Sequence, residues 1–233
     1  MPGKTLRGIR ACVFDAYGTL FNVDSATRPF TAELGGRALA LNRLWREKQL
    51  NYSWLRAVQG VHVDFWQVTA DALDFALDSV GAAGPVLRDR LMDQYLTLDA
   101  FPDVYDSLCR LKKSGFELAI LSNGTPVMLE TAVQHAGLGV FFSNVLSVEA
   151  AGVYKPHSRV YQLAVDRLCL RKQEIAFVSS NGWDVHAGSA FGLRAIWCNR
   201  ESRIPERLPG QPELVLKSLG ELPGCLSAEP SVS

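Results

Sequence analysis

Apolar residues change their spacing along the chain, and the changes divide it. Ala11-Cys12-Val13-Phe14 is a short unbroken apolar run. It is too short for a helix and rich in β-formers, which predicts a buried strand. From residue 21 to residue 98 the apolar positions recur three and four apart. Leu41, Leu44, Trp45, Gln49 and Tyr52 mark one largely apolar helical stripe, and Trp66, Ala70, Leu73, Leu77 and Val80 mark another. Gly81 is placed to end the second helix, and Gly84-Pro85 to open a third with Pro85 in its first turn. This block predicts no strand.

From Phe101 onward short apolar runs alternate with amphipathic stretches. Strands are predicted over 117–121, 144–148, 175–178 and 194–198, with an edge strand over 214–216. Helices are predicted from Pro102-Asp103 to Gly115, from Thr125-Pro126 to Gly137, from His157 to Leu170, and from Asp184 to Gly192. Strands alternating with helices imply an α/β fold, a Rossmann-like and mostly parallel sheet with right-handed crossovers. The expected organisation is an α/β core from residues 1–20 and 99–222, an inserted helical cap over 21–98, and a frayed polar tail over 223–233.

The bulk numbers narrow the function classes. A chain of 233 residues holds one large domain or two small ones. Lys and Arg together number 24, as do Asp and Glu, so the formal net charge is +0. That argues against a nucleic-acid or polyanion binder, which carries a basic excess. The five cysteines form no C-x-x-C pair and are odd in number, which suits a reduced, cytoplasmic setting. No apolar signal stretch follows Met1-Pro2-Gly3-Lys4, and no apolar run approaches the roughly 18 residues of a membrane span.

Chemistry gathers where strands end. Asp15, with Tyr17 and Thr19, follows the first strand; Ser122-Asn123 follows the second; Ser179, Asn181 and Asp184 follow a later one. A parallel sheet brings all such ends to one edge, where ligands of open α/β sheets bind. Asp15 could act there as nucleophile or metal ligand, or merely end its strand. Ser122 and Asn123 could present a hydroxyl, an amide and helix-start N–H groups to a small anion, although Thr125 could simply cap the next helix. Lys155, before Pro156, lies between a strand and a helix on the same edge, and a cation there would keep Asp15 ionised. Tyr161, six residues on, reads equally as a half-buried core tyrosine, and Asp184 as a helix N-cap. In the helical block Arg46, Leu50, Ser53 and Trp54 share a face.

The longer patterns resemble a known family. Val13-Phe14-Asp15-Ala16-Tyr17-Gly18-Thr19-Leu20 resembles the nucleophile motif of the haloacid dehalogenase superfamily, whose members form an aspartyl ester intermediate. Most are Mg-dependent phosphatases with Asp-x-Asp-x-Thr. Here Tyr17 holds the second Asp position, and a phenol with an ordinary pKa of about 10 is a poor acid for a leaving alkoxide. Asp-Ala-Tyr-Gly-Thr is instead similar to the metal-free 2-haloacid dehalogenase branch. So are Trp45-Arg46-Glu47-Lys48-Gln49-Leu50, Leu121-Ser122-Asn123-Gly124, Tyr154-Lys155-Pro156 with Tyr161, and Ser179-Ser180-Asn181-Gly182-Trp183-Asp184.

The likeness runs from about Arg10 to Cys198. It implies hydrolysis of (S)-2-haloalkanoic acids to (R)-2-hydroxy acids and halide, with no metal and no cofactor. Asp15 is then the nucleophile, held by Tyr17 and Thr19. Arg46, helped by Asn181, receives the halide; a guanidinium is always charged and weakly hydrated. Leu50, Phe65 and Trp183 form apolar walls, Ser122 and Asn123 hold the substrate carboxylate, and Asp184 with Lys155 and Ser179 places the hydrolytic water. Family members are often homodimers, which the apolar cap stripes allow. The rival readings are a Mg-dependent phosphatase acting on a small phosphorylated metabolite, which Tyr17 opposes, and a catalytically idle binding protein, which Asp15 and Lys155 oppose.

Overall fold

The computed structural model describes residues 5–82 and 84–228, so residues 1–4 of the expected core and 229–233 of the expected tail lie outside the described residues. Strand β1 (Leu6–Ile9) is followed by β2 (Ala11–Phe14), then by the helical block: α1 (Thr31–Leu34), α2 (Ala38–Gln59), α3 (Phe65–Ser79) and α4 (Pro85–Leu96). The α/β part continues as α5 (Val104–Lys113), β3 (Glu117–Ser122), α6 (Pro126–His135), β4 (Asn144–Ser147), α7 (Ser158–Leu168), β5 (Ile175–Ser179), α8 (Gly182–Phe191), β6 (Arg194–Cys198) and β7 (Leu214–Leu216). It closes with α9 (Leu222–Cys225) and β8 (Leu226–Ala228).

Six parallel strands form the main sheet in the order β4-β3-β2-β5-β6-β7. Residues 11–14 and 175–179 are buried throughout, because helices cover both faces, and such strands read as continuous apolar runs. The chain leaves β2 toward β3 and β4 on one side, then returns to lay β5 on the other. The strand order therefore reverses at β2 and β5, and the crevice beyond their C-terminal ends is the expected ligand site.

Local chemistry fixes the helix ends. Asp64 caps α3 by accepting the Gln67 N–H at 2.8 Å, and Pro85 sits in the first turn of α4 as expected. Trp45 Nε1 donates to the Thr69 carbonyl at 2.9 Å, locking α2 against α3. Backbone bonds pair the two junctions of the helical block: Asn22 N–H donates to the Asp99 carbonyl (2.8 Å) and, just inside the core, Phe101 N–H to the Leu20 carbonyl (2.9 Å).

Two expectations need correction. The tail does not fray at Gly224: α9 and β8 continue the fold, and β8 pairs in parallel with β1. The N-terminal strand was hidden because the register shifts between Arg7 and Ile9 at Gly8, whose φ of 75° breaks the alternating pattern. Helix α8 begins at Gly182 with Asn181 in the N-cap position, so Asp184 lies inside the first turn and is no N-cap.

Candidate active site

Asp15 stands one residue past β2, and its N–H donates to the Val178 carbonyl of β5 at 2.9 Å. The sheet itself therefore aims the carboxylate into the crevice. Its two oxygens differ. Oδ2 accepts from Thr19 Oγ1 (2.9 Å) and Asn181 Nδ2 (2.8 Å), with Ser179 Oγ at 3.4 Å. Among the described residues Oδ1 accepts only from Lys155 Nζ, at 3.1 Å. Thr19 is fixed in turn by the Ser180 N–H, which donates to its hydroxyl oxygen at 2.8 Å.

Lys155 is 1% exposed and bridges two acids, since Nζ also donates to Asp184 Oδ2 at 2.9 Å. Burial alone would lower its pKa, but the carboxylates of Asp15 and Asp184 outweigh that and hold it above the usual lysine value. Asp184 is fully buried. Burial raises its carboxyl pKa and Asp15 adds to the rise, against the pull of Lys155 and of Tyr161, whose hydroxyl donates to Asp184 Oδ1 at 2.7 Å. Tyr161 is thus fully buried rather than half-buried, and it belongs to both core and site.

Arg46 reaches in from α2. Its guanidinium donates to Gln49 Oε1 (2.7 Å), the Tyr17 carbonyl (3.3 Å) and Asn181 Oδ1 (3.5 Å). None of these acceptors is a carboxylate. The Asn181 amide donates to both Asp15 and the Tyr17 carbonyl (3.2 Å), so both of its faces are committed and its orientation is set. It links Arg46 to Asp15 and does not stand free as a second halide donor.

Asp15, Tyr17, Arg46 and Lys155 share one cleft with Ser122 and Asn123, and Leu50, Phe65 and Trp183 supply its apolar wall. The cleft contains about 230 Å³ of empty space, but only about 10 Å³ of it takes the centre of a water-sized molecule, roughly one water. Burial pushes the Tyr17 phenol well above its normal range, and its buried hydroxyl has no partner among the described residues. It is therefore a neutral donor facing the cleft. Ser122 Oγ accepts the Gly124 N–H at 3.2 Å, which leaves its hydroxyl proton to point elsewhere. Asn123 Oδ1 accepts the Lys155 N–H at 2.9 Å, so Asn123 also positions the lysine. Thr125 does cap α6, accepting the Met128 N–H at 3.2 Å.

The residues do not suit Mg²⁺, which takes near-octahedral oxygen ligands. Two carboxylates are at hand, and the ammonium of Lys155 lies between them. Among the described residues no group of three or more His, Cys, Asp or Glu side chains could hold a metal.

Sequence reasoning missed Gln49 as part of the site. It counted as a member of the apolar stripe of α2, yet it is 1% exposed and hydrogen-bonded to Arg46. An amide within an otherwise apolar stripe was the available signal.

A family model for haloacid dehalogenase-like hydrolases matches residues 9–192. The chain is 46% identical over 219 residues to (S)-2-haloacid dehalogenase 1 of Pseudomonas sp. (strain CBS-3), covering 94% of this chain and 96% of that protein. A dehalogenase solved as an intermediate complex superposes with a TM-score of 0.92 at 41% identity, covering 96% and 99% of the two chains. The L-2-haloacid dehalogenase of Xanthobacter autotrophicus with chloropropionic acid covalently bound gives a TM-score of 0.87 at 36% identity, covering 92% and 97%.

Proposed function

Because the chain belongs to the haloacid dehalogenase-like hydrolases, and within them to the (S)-2-haloacid dehalogenases, we propose that it hydrolyses (S)-2-haloalkanoic acids to (R)-2-hydroxy acids and halide. The observation that carries the mechanism is the unequal environment of the two Asp15 oxygens. Oδ2 is engaged by Thr19, Asn181 and Ser179, whereas Oδ1 keeps lone pairs free and has Lys155 beside it.

Oδ1 is therefore the attacking atom. It displaces halide from the α-carbon from the opposite side, inverting that centre and forming an ester of Asp15. Arg46 receives the departing halide across the cleft, a charge placed where charge develops. Ser122 and Asn123 hold the substrate carboxylate, Tyr17 and Thr19 keep Asp15 in place, and Leu50, Phe65 and Trp183 exclude water.

In the second step a water deprotonated by Asp184 attacks Cγ of Asp15. The negative charge that appears on Oδ2 meets the donors already there: Thr19, Asn181 and Ser179. The Cγ–Oδ1 bond breaks, and Oδ1 leaves as the product hydroxyl, protonated from the Lys155–Asp184 pair. Tyr161 orients Asp184. The chiral carbon is untouched, so the inversion stands. A phosphatase reading is not favoured: Tyr17 replaces the acid-base carboxylate and Lys155 lies where a cation would sit.

Residues 21–98 act as a cap over residues 1–20 and 99–222. The enzyme works in the cytoplasm, where its cysteines stay reduced; among the described residues no helix is long and apolar enough to cross a membrane. A homodimer through the outer faces of α2 and α3 is the expected assembly, since Leu55, Val58 and Phe75 are exposed there.

The test is halide release from (S)- and (R)-2-chloropropionate in excess EDTA, with the wild type and Asp15→Asn. Release from the (S) form only, lost in the variant, is the expected result. Absence of release from either form and from the haloacetates would overturn the assignment.

A further inference from the structure

Resting on the reading of Arg46 as the halide receptor, we propose that Gln49 is its positioning residue. It is a neutral acceptor that aims the guanidinium without cancelling its charge.

The polarity of Gln49 is fixed by a chain of buried bonds. Thr69 Oγ1 donates to the Phe65 carbonyl at 2.7 Å, so that hydroxyl can offer only a lone pair to Gln49. Gln49 Nε2 donates to it at 2.7 Å. The amide oxygen must then face the other way, where it accepts from Arg46 (2.7 Å) and from the Tyr95 hydroxyl (3.2 Å). Gln49, Thr69 and Tyr95 are all buried, and burial first, with Asp15 also contributing, raises the Tyr95 phenol, so it stays a donor. Donation runs one way, from the guanidinium through Gln49 and Thr69 to the α3 backbone.

The choice of an amide has a physical consequence. The acceptors around Arg46 among the described residues are neutral: two amide oxygens, a backbone carbonyl and the Tyr95 hydroxyl oxygen. A carboxylate at position 49 could reach the same nitrogen, but it would pair with the charge that the leaving halide needs. An apolar residue would preserve the charge and lose the aim. In the proposed mechanism Arg46 meets developing charge in the alkylation step and touches the hydrolysis step only through Asn181, so Gln49 should matter mainly for alkylation.

The experiment compares wild type with Gln49→Glu, Gln49→Met and Thr69→Val, the last freeing the Gln49 amide from outside the cleft. Bromide and chloride inhibition constants probe the receptor directly. The ratio of kcat/KM for 2-bromopropionate to that for 2-chloropropionate probes leaving-group assistance. Rapid-quench decay of the Asp15 ester probes the hydrolysis step. Gln49→Met is expected to weaken halide inhibition about tenfold, as for loss of one charge-assisted hydrogen bond, Gln49→Glu at least as much by pairing with the charge, and both to raise the bromo-to-chloro ratio because the poorer leaving group needs more help. Ester decay should stay near the wild-type rate. Thr69→Val is expected to show the same signature more weakly, and it decides the matter if neither position-49 variant folds. Halide inhibition and leaving-group ratio unchanged in the folded variants, or alkylation and ester decay slowed equally, would overturn the proposal. A wild type that releases no halide would instead remove the underlying reading of the activity.

Discussion

Lys155 joins the two acids of the site, and the division of labour between them makes a sharp prediction at the scale of single residues. In the proposed mechanism Asp15 and Arg46 act in alkylation, whereas ester hydrolysis needs Asp184. Asp184→Asn should therefore form the Asp15 ester and release it slowly, by a factor on the order of 10²–10⁴, as for loss of a general base. Mass spectrometry of the variant after mixing with substrate should find the acyl adduct on the peptide containing Asp15. An unmodified peptide would show that Asp184 acts in the first step. The pH dependence has a defined sign. Asp184 must be ionised to take a proton, and its carboxyl is held above the usual Asp value of about 4. The rate of ester decay should thus fall with decreasing pH as Asp184 is protonated, with a midpoint below that of the free enzyme, because the esterified Asp15 no longer adds its charge to the rise. Lys155 is held above the usual lysine value of about 10.4, so its deprotonation should cause no alkaline loss below that pH. Asp15, Lys155 and Asp184 were legible in the sequence because each follows a strand on one sheet edge. Gln49 and the committed amide of Asn181 were not, because hydrogen-bond direction is decided by partners remote in sequence.

At the scale of elements, the sheet was legible and its margins were not. Buried parallel strands announce themselves as apolar runs, and β2, β3, β5 and β6 did so. The pair of β1 and β8 joins residues 6–9 to 226–228, and nothing local in either segment predicts a partner so distant along the chain. The β3–α6 turn carries a further prediction. A side chain on Gly124 would place its Cβ 2.8 Å from Tyr17 Cε2, 2.9 Å from the Tyr17 hydroxyl and 3.1 Å from Leu129 Cδ2. Tyr17 cannot retreat easily, since its ring lies 5.5 Å from Tyr95 and 6.3 Å from Phe65, centroid to centroid. Gly124→Ala should cost about 1–3 kcal/mol by overpacking, which at this chain length lowers the melting temperature by about 2–4 °C per kcal/mol. Displacement of Tyr17 should also reduce kcat/KM. Calorimetry and steady-state kinetics check the two effects separately, and an unchanged melting temperature would mean that the turn yields instead.

At the scale of the whole molecule, the closed cleft has room for about one water, and a 2-haloalkanoic acid is larger. Substrate entry is therefore expected to displace the helical block from the sheet, with the paired segments at Leu20–Phe101 and Asn22–Asp99 as the hinge. The loop after α2 touches the sheet side at Tyr154 and Glu149. The Tyr154 hydroxyl donates to the Val63 carbonyl. His62 Nε2 lies 3.1 Å from Glu149 Oε2, and the His62 ring packs 4.8 Å from that of Tyr154. The Tyr154 bond and the half-buried His62–Glu149 pair are the polar ties of this latch. Tyr154→Phe keeps the ring packing and removes that bond, at a cost of about 0.5–1.5 kcal/mol. Opening should then become roughly 2- to 10-fold more frequent by the Boltzmann factor for that energy. Hydrogen exchange is expected to quicken by that factor at residues 61–64, while the amides of β2 and β5 keep their protection. Equal acceleration in the sheet would mean that Tyr154 stabilises the fold as a whole and not the closed position of the cap.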